Sequence, residues 1–100
     1  MGDTRVFDFG TALELMRAGK YVARRGWNGK GMYLWLLPEA TIKSEWCKDP
    51  HLKSLCDANG GEIKALASIR MLTANKEVLT GWLASQSDML ATDWVEVNLG

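Results

Sequence analysis

The feature that most constrains the fold of this chain is the segment from Gly26 to Gly31, in which three of the six residues are glycine. Strand-like sequence lies on both sides of it: Lys20 to Arg25 before it, and the apolar run Met32 to Leu37 after it. Asn-Gly pairs and closely spaced glycines accept the positive φ angles that tight hairpin connections require. The sequence therefore predicts two antiparallel strands joined by this loop.

A helix is predicted before the hairpin. Four apolar residues recur there at helical spacing and would share one stripe, namely Phe9, Ala12, Leu13 and Met16. Asp8 is placed to cap the start of this helix, and Gly19 is placed to follow its end. The stripe needs an apolar partner, and the hairpin sheet is the predicted one.

Turn and capping residues divide the rest of the chain. An Asp-Pro pair before His51 to Ala58 and Asn-Gly-Gly after it predict a short helix. Ile63 to Thr73 and Glu77 to Trp82 are predicted as a second hairpin, whose turn lies around Ala74 to Lys76. Ser85 with Asp88 three residues later predicts a capped helix start, and Trp94 to Val97 a last strand. The order αββ(α)ββαβ predicts an α+β fold, with an antiparallel sheet, an N-terminal helix and short additional helices, as one domain over residues 1–100.

Composition excludes several classes of function. Twelve basic and twelve acidic residues give a formal charge of zero, so the field that draws proteins to nucleic-acid polymers is missing. No apolar run approaches the ~20 residues that span a bilayer, and the N-terminus does not resemble a signal peptide. We therefore expect no nucleic-acid or membrane partner and a location in the cytoplasm.

The residues that could support metal binding or catalysis are few. Cys47, His51 and Cys56 form a C-x3-H-x4-C cluster, but a zinc site needs further ligands, so two thiols and a helix-surface histidine are the preferred interpretation and no metal is predicted. His51 is the only histidine, which disfavours nucleophilic catalysis. Asp88 and Asp93 could exchange protons, although carboxylates at a helix start more often stabilise the helix. An enzyme is disfavoured.

Five tryptophans are the compositional excess, and two of them lie in polar, glycine-marked segments. Trp27 is followed by Gly29-Lys30-Gly31, whose backbone N–H groups next to a lysine suit an anion. Trp82 is followed by Ser, Gln, Ser and Asp at a predicted helix start. Stacking faces beside amide, hydroxyl and carboxylate groups suit a nucleoside-like ligand. The alternative is that Trp82 belongs to the core and that Ser85 and Asp88 only cap the helix.

The segments GWNGKGM (26–32) and GWLASQSDMLATDW (81–94), with the helix start Phe9-Gly10-x-Ala12-Leu13, resemble the motifs of the Thoeris anti-defense 2 family. The resemblance runs from about Phe7 to Val97. It implies an α+β protomer that assembles into a homotetramer and sequesters a nucleotide-derived immune signal without cleaving it. The implied ligands are glycocyclic ADP-ribose isomers, and for some members cyclic oligonucleotides. No cofactor or metal is implied.

Carried over to this chain, the family's ligand-binding residues are Trp27, Asn28, Lys30, Met32, Trp82, Ser85, Gln86 and Asp88. The resemblance implies that the tryptophans stack on adenine or flank ribose, and that amide and carboxylate groups bond base edges or ribose hydroxyls. Arg24 and Arg25 are candidate phosphate contacts, and Trp35 in the apolar strand is a candidate subunit contact. Two alternatives stay open: a protein-binding module with exposed tryptophans, and a nucleotide-processing enzyme with Asp88 as general base.

Overall fold

The computed structural model describes residues 5–99 and has the α+β architecture that the sequence predicts. Its helices are α1 (Phe9–Arg17), α2 (Pro50–Ala58) and α3 (Gln86–Leu90), with a 3-10 turn over Ser44–Trp46. Its strands are β1 (Tyr21–Arg24), β2 (Tyr33–Leu37), β3 (Ala40–Lys43), β4 (Glu62–Ala65), β5 (Ser68–Leu72), β6 (Val78–Thr80) and β7 (Trp94–Val97). These elements form two compact units: a main unit of residues 5–37 and 68–99, and an insert unit of residues 38–67.

The main unit is built on a five-stranded sheet with the order β6-β5-β2-β1-β7 and antiparallel neighbours throughout. The predicted first hairpin is confirmed, since β1 and β2 pair with Val22 opposite Leu34. The second hairpin is confirmed for β5 and β6, whose turn contains Lys76 at a φ of 66°. Strand β7 is distant from β1 in sequence but pairs along its whole length. This pairing brings the second tryptophan segment (residues 81–94) next to the first (residues 26–32).

Helix α1 closes one face of this sheet. Asp8 caps the helix by accepting a hydrogen bond from Thr11 N at 2.9 Å, and Gly19, at a φ of 86°, follows its end, as predicted. The buried helix residues Ala12 and Met16 belong to one core with four sheet residues, namely Val22, Leu34, Met71 and Trp94. The predicted apolar stripe is therefore confirmed, and it packs against the strands that carry the tryptophan segments.

The insert unit contains the paired strands β3 and β4 with α2. Asp49 caps α2 and Pro50 opens it, as predicted. The prediction of one continuous strand from Ile63 to Thr73 is wrong, because β4 and β5 belong to different sheets and the chain leaves strand geometry between them. Strand β3 was not predicted, since only Ile42 among its residues is partly buried and the strand lacks an apolar pattern. Among residues 5–99, no helix has the length and apolar character that crossing a membrane requires.

Candidate functional site

The site begins at the capped start of α3. Ser85 Oγ accepts a hydrogen bond from Asp88 N at 3.1 Å, and Asp88 Oδ2 accepts one from Ser85 N at 3.3 Å. The predicted capping box is therefore present. This pair of bonds fixes the Asp88 carboxylate and leaves its second oxygen, Oδ1, for partners outside the helix.

Asp88 Oδ1 joins the two tryptophan segments. It accepts hydrogen bonds from Arg24 Nη1 at 2.9 Å and from Trp27 Nε1 at 3.2 Å. The Asp88 side chain is only 13% exposed, so both bonds lie largely out of water. A carboxylate that accepts from a guanidinium, an indole and a backbone amide is well satisfied. Asp88 thus fastens α3 to β1 and to the loop after it.

A second carboxylate supports the same arginine, and the sequence prediction gave it no role in binding. Asp93 Oδ1 accepts from Arg24 Nε at 2.9 Å, and Asp93 Oδ2 accepts from Gly26 N at 2.7 Å. A Cβ on Gly26 would stand 2.7 Å from that carboxylate oxygen, so glycine permits the close approach. Arg24 therefore bridges two carboxylates, and the loop after β1 starts from a fixed position.

These contacts change the acidity of all three groups. The hydrogen bonds that Arg24 donates to Asp93, first, and to Asp88 raise the pKa of Arg24. The bond from Arg24 lowers the pKa of Asp93 against the opposing effect of burial. Burial alone would raise the pKa of Asp88, but the bonds from Arg24, Trp27 and Ser85 together hold it below its ordinary value. Both carboxylates are ionised at neutral pH.

Three tryptophans meet beside this network. Trp27 lies 5.4 Å from Trp94 and 6.2 Å from Trp82 between ring centroids, and Trp82 lies 6.4 Å from Trp94, each pair edge to face. Trp94 is fully buried and donates through Nε1 to the Asp88 backbone carbonyl at 3.0 Å. Trp27 and Trp82 are half-buried and pack against the core. The structure thus brings the two predicted stacking residues together and anchors both on Trp94.

The remaining predicted residues differ in exposure. Arg25, Asn28, Lys30 and Gln86 are exposed, whereas Met32 is half-buried against the core. The loop lies close over Met32, since a Cβ on Gly29 would overlap the methionine sulfur. Lys76, which the sequence prediction missed, comes from the β5–β6 turn, and its Nζ stands 3.2 Å from where a Cβ on Gly31 would be. The sequence alone does not show that Lys76 lies near the loop, because its position depends on the pairing of β5 with β2.

No three histidine, cysteine, aspartate or glutamate side chains within residues 5–99 are grouped to hold a metal ion. Cys47 and Cys56 are free thiols in the insert unit. His51 is exposed on α2.

The lowered pKa values predict how stability depends on pH. A carboxyl group whose pKa is lower in the folded than in the unfolded chain stabilises the fold above its unfolded value, about 3.9, and stops doing so as the pH falls through the folded value. We therefore expect the free energy of unfolding to drop steeply below about pH 4. Urea titrations at a series of pH values would measure it. A variant with both Asp88→Asn and Asp93→Asn should show a shallower acid slope, and an unchanged slope would contradict this assignment.

The comparisons with known proteins agree with one another. The model of the Thoeris anti-defense 2-like domain matches residues 7–97. A protein of Bacillus phage SP01 named Thoeris anti-defense 2 is 32% identical over 93 residues, which cover 86% of this chain and 89% of that protein. Both the first and the second tryptophan segment lie inside the matched range.

Proposed function

This chain belongs to the Thoeris anti-defense 2-like family, and from that premise we propose that it binds and sequesters a nucleotide-derived immune signal without cleaving it. The family membership supports an anti-defence role. The proposed ligands are glycocyclic ADP-ribose isomers or cyclic oligonucleotides, captured in the cytoplasm of an infected bacterium. The observation that carries the proposal is the placement of half-buried Trp27 and Trp82 beside exposed polar groups on two chain-distant segments.

The physical requirement for a sequestering protein is high affinity. Nanomolar binding needs about −12 kcal/mol, and aromatic stacking supplies ~1 to 3 kcal/mol per base. The difference must come from enclosure and from charge-assisted hydrogen bonds to phosphate. We assign the phosphate contacts to Lys30, Arg25 and Lys76, whose side chains are exposed around the loop.

Two predicted ligand contacts are better explained as positioning residues. Arg24 already donates to Asp88 and Asp93 through Nη1 and Nε. Both oxygens of Asp88 accept hydrogen bonds within the protein. We therefore propose that Arg24 and Asp88 hold Trp27 in place, while Asn28 and Gln86 contact the ligand.

The same contacts favour binding over catalysis. A general base works best when its pKa lies near the working pH. Asp88 and Asp93 have lowered pKa values and are held by Arg24, so they are weak bases at neutral pH. A nucleotide-processing role would require one of them to give up its ion pair with Arg24 before accepting a proton.

A thermal-shift assay with intact-ligand recovery tests the proposal. With a glycocyclic ADP-ribose isomer or a cyclic oligonucleotide at ten times its Kd, binding to the folded state adds about 1.4 kcal/mol, which raises Tm by several degrees. We expect such a shift, and release of chemically unchanged ligand on heating. A shift with converted ligand would indicate an enzyme. No shift with any of these compounds would favour a protein-binding module.

The proposed homotetramer has a structural basis in exposed apolar residues of the main unit. Those on β6, on α3 and between these two elements are Val78, Leu79, Leu83, Met89 and Leu90. Leu83 and Leu90 are 88% and 77% exposed, and β6 is an edge strand whose residues are all exposed. Apolar side chains in such positions are typical of subunit contacts. We propose that these residues, together with Trp35, contribute to the contacts between subunits.

Negative charge at two of these positions should prevent assembly. Replacing Leu83 and Leu90 with aspartate is expected to convert a tetramer into dimers or monomers, because buried unpaired carboxylates are costly. Light scattering coupled to size exclusion would give the mass of each species. Lys48→Asp, on the exposed surface of the insert unit, is the matched control and should leave the mass of the assembly unchanged. A tetramer that survives both leucine substitutions would place the contacts elsewhere.

A further inference from the structure

The insert unit places two thiols side by side. Cys47 Sγ lies 3.8 Å from Cys56 Sγ, and each sulfur is 3.5 Å from a backbone carbonyl, that of Lys43 and that of Ile42 respectively. Cys47 follows the 3-10 turn and is half-buried, whereas Cys56 lies in α2 with no exposed area. One thiol of the pair is therefore partly accessible to reagents and the other is shielded.

Polar contacts keep the two thiols together. Ser44, at the start of the 3-10 turn, hydrogen-bonds to Asp57 of α2, and its Oγ accepts from Lys53 Nζ at 2.9 Å. Ser44 N also donates to Gly61 O at 2.9 Å. The 3-10 turn is thus bonded to α2 and to the residues that follow it, so the segment carrying Cys47 is held against the helix carrying Cys56.

We propose that Cys47 and Cys56 are a redox modification site, which closes to an intramolecular disulfide by exchange with a low-molecular-weight disulfide. Bonded sulfurs lie about 2.05 Å apart, so the two atoms must approach by less than about 2 Å. A change of the χ1 torsion of one cysteine moves its sulfur that far. The half-buried Cys47 is the attacking residue, and the fully buried Cys56 resolves the intermediate.

The exchange proceeds in two balanced steps. The Cys47 thiol loses its proton to solvent, and its thiolate attacks one sulfur of oxidised glutathione; the glutathione S–S bond breaks, and one glutathione thiolate leaves and takes up a proton from solvent. Cys56 then loses its proton to solvent, and its thiolate attacks the Cys47 sulfur and expels the second glutathione. Two protein thiols are oxidised by two electrons, and one glutathione disulfide is reduced to two thiols. Burial, with the neighbouring Cys47, raises the pKa of the Cys56 thiol, so the second step should be faster at higher pH.

The experiment uses the full chain, reduced and then equilibrated with oxidised glutathione without oxygen. Samples are acid-quenched, alkylated and weighed by mass spectrometry. We expect chains that are not covalently linked to one another and that are lighter by two hydrogens than the reduced chain. A tryptic cross-link should join residues 44–48 to residues 54–64. Reduced glutathione should reverse the change fully. An unchanged thiol pair, a product with glutathione on both cysteines, or disulfide-linked dimers would each overturn the proposal.

Single variants separate the two roles. Cys56→Ser should accumulate a stable glutathione adduct on Cys47, because the resolving thiol is gone. Cys47→Ser should remain unmodified, because Cys56 has no exposed area. Circular dichroism checks that each variant folds, and Cys56→Ala replaces Cys56→Ser if the hydroxyl is not tolerated. A Cys47→Ser protein that reacts as fast as the wild type would reverse the assignment of the attacking residue.

Discussion

Replacing Asp88 with alanine is expected to lower the free energy of unfolding by about 2 to 4 kcal/mol. The substitution removes the acceptor for Arg24, for the Trp27 indole and for the Ser85 amide in one step. It leaves a largely buried guanidinium with Asp93 alone and a half-buried indole N–H without its partner. Unsatisfied polar groups of this kind cost more than the bond itself contributes. Urea unfolding followed by tryptophan fluorescence would measure the loss.

Two further variants, Asp88→Asn and Glu96→Ala, serve as references for the stability of Asp88→Ala. Asp88→Asn keeps an oxygen for the indole but removes the charge that holds Arg24, so its cost should be smaller than that of alanine. Glu96→Ala removes a carboxylate from an exposed position of β7 and should change stability little. If Asp88→Ala were no more destabilising than Glu96→Ala, the Asp88 carboxylate would not be the group that holds the two tryptophan segments together.

Local chemistry explains why much of the fold was predictable. The Asp8 cap, the Ser85–Asp88 capping box and the turn between β5 and β6 each involve residues within a few positions of one another. Their side chains and backbone preferences select the structure before any distant contact forms. The same holds for the apolar stripe of α1, whose spacing alone defines a buried face.

Distant contacts explain what was not predictable. Arg24 and Asp88 are 64 residues apart, and Arg24 and Asp93 are 69 apart, so no spacing rule links them. Their meeting depends on the pairing of β1 with β7, which brings Arg24 opposite Trp94. Likewise, the strand-like segment Ile63 to Thr73 does not show where the chain passes from one sheet to another. Sequence patterns report which face of an element is buried, but not which element covers it.

The structure therefore divides the tryptophan segments into two kinds of residue. Arg24, Asp88, Asp93 and Trp94 make contacts with one another and with Trp27 that are part-buried. Asn28, Lys30 and Gln86 have exposed side chains on the same segments. Substituting the first kind should change stability together with binding. Substituting the second kind should change binding alone, which makes them the sharper test of the ligand site.

The strongest effect on binding is expected from Trp82→Ala. Loss of one stacking face should weaken capture of the signal by roughly 5- to 150-fold, the equivalent of ~1 to 3 kcal/mol. Trp82 is preferred to Trp27 for this test, because Trp27 also donates to Asp88, whereas the contacts found for Trp82 within residues 5–99 include no side-chain hydrogen bond. Titration calorimetry well below the Tm of the variant would measure Kd on folded protein.

Leu66→Ala is the control for ligand contact, since Leu66 is 74% exposed, lies outside the ring cluster and is not among the residues assigned to subunit contacts. It should retain wild-type affinity per folded protomer. Trp82→Phe should recover part of the affinity, because a smaller ring still stacks but covers less of a base. A graded order of wild type, phenylalanine and alanine would indicate direct stacking. Equal affinity for all three would remove Trp82 from the site and leave it as a residue that packs against Trp94.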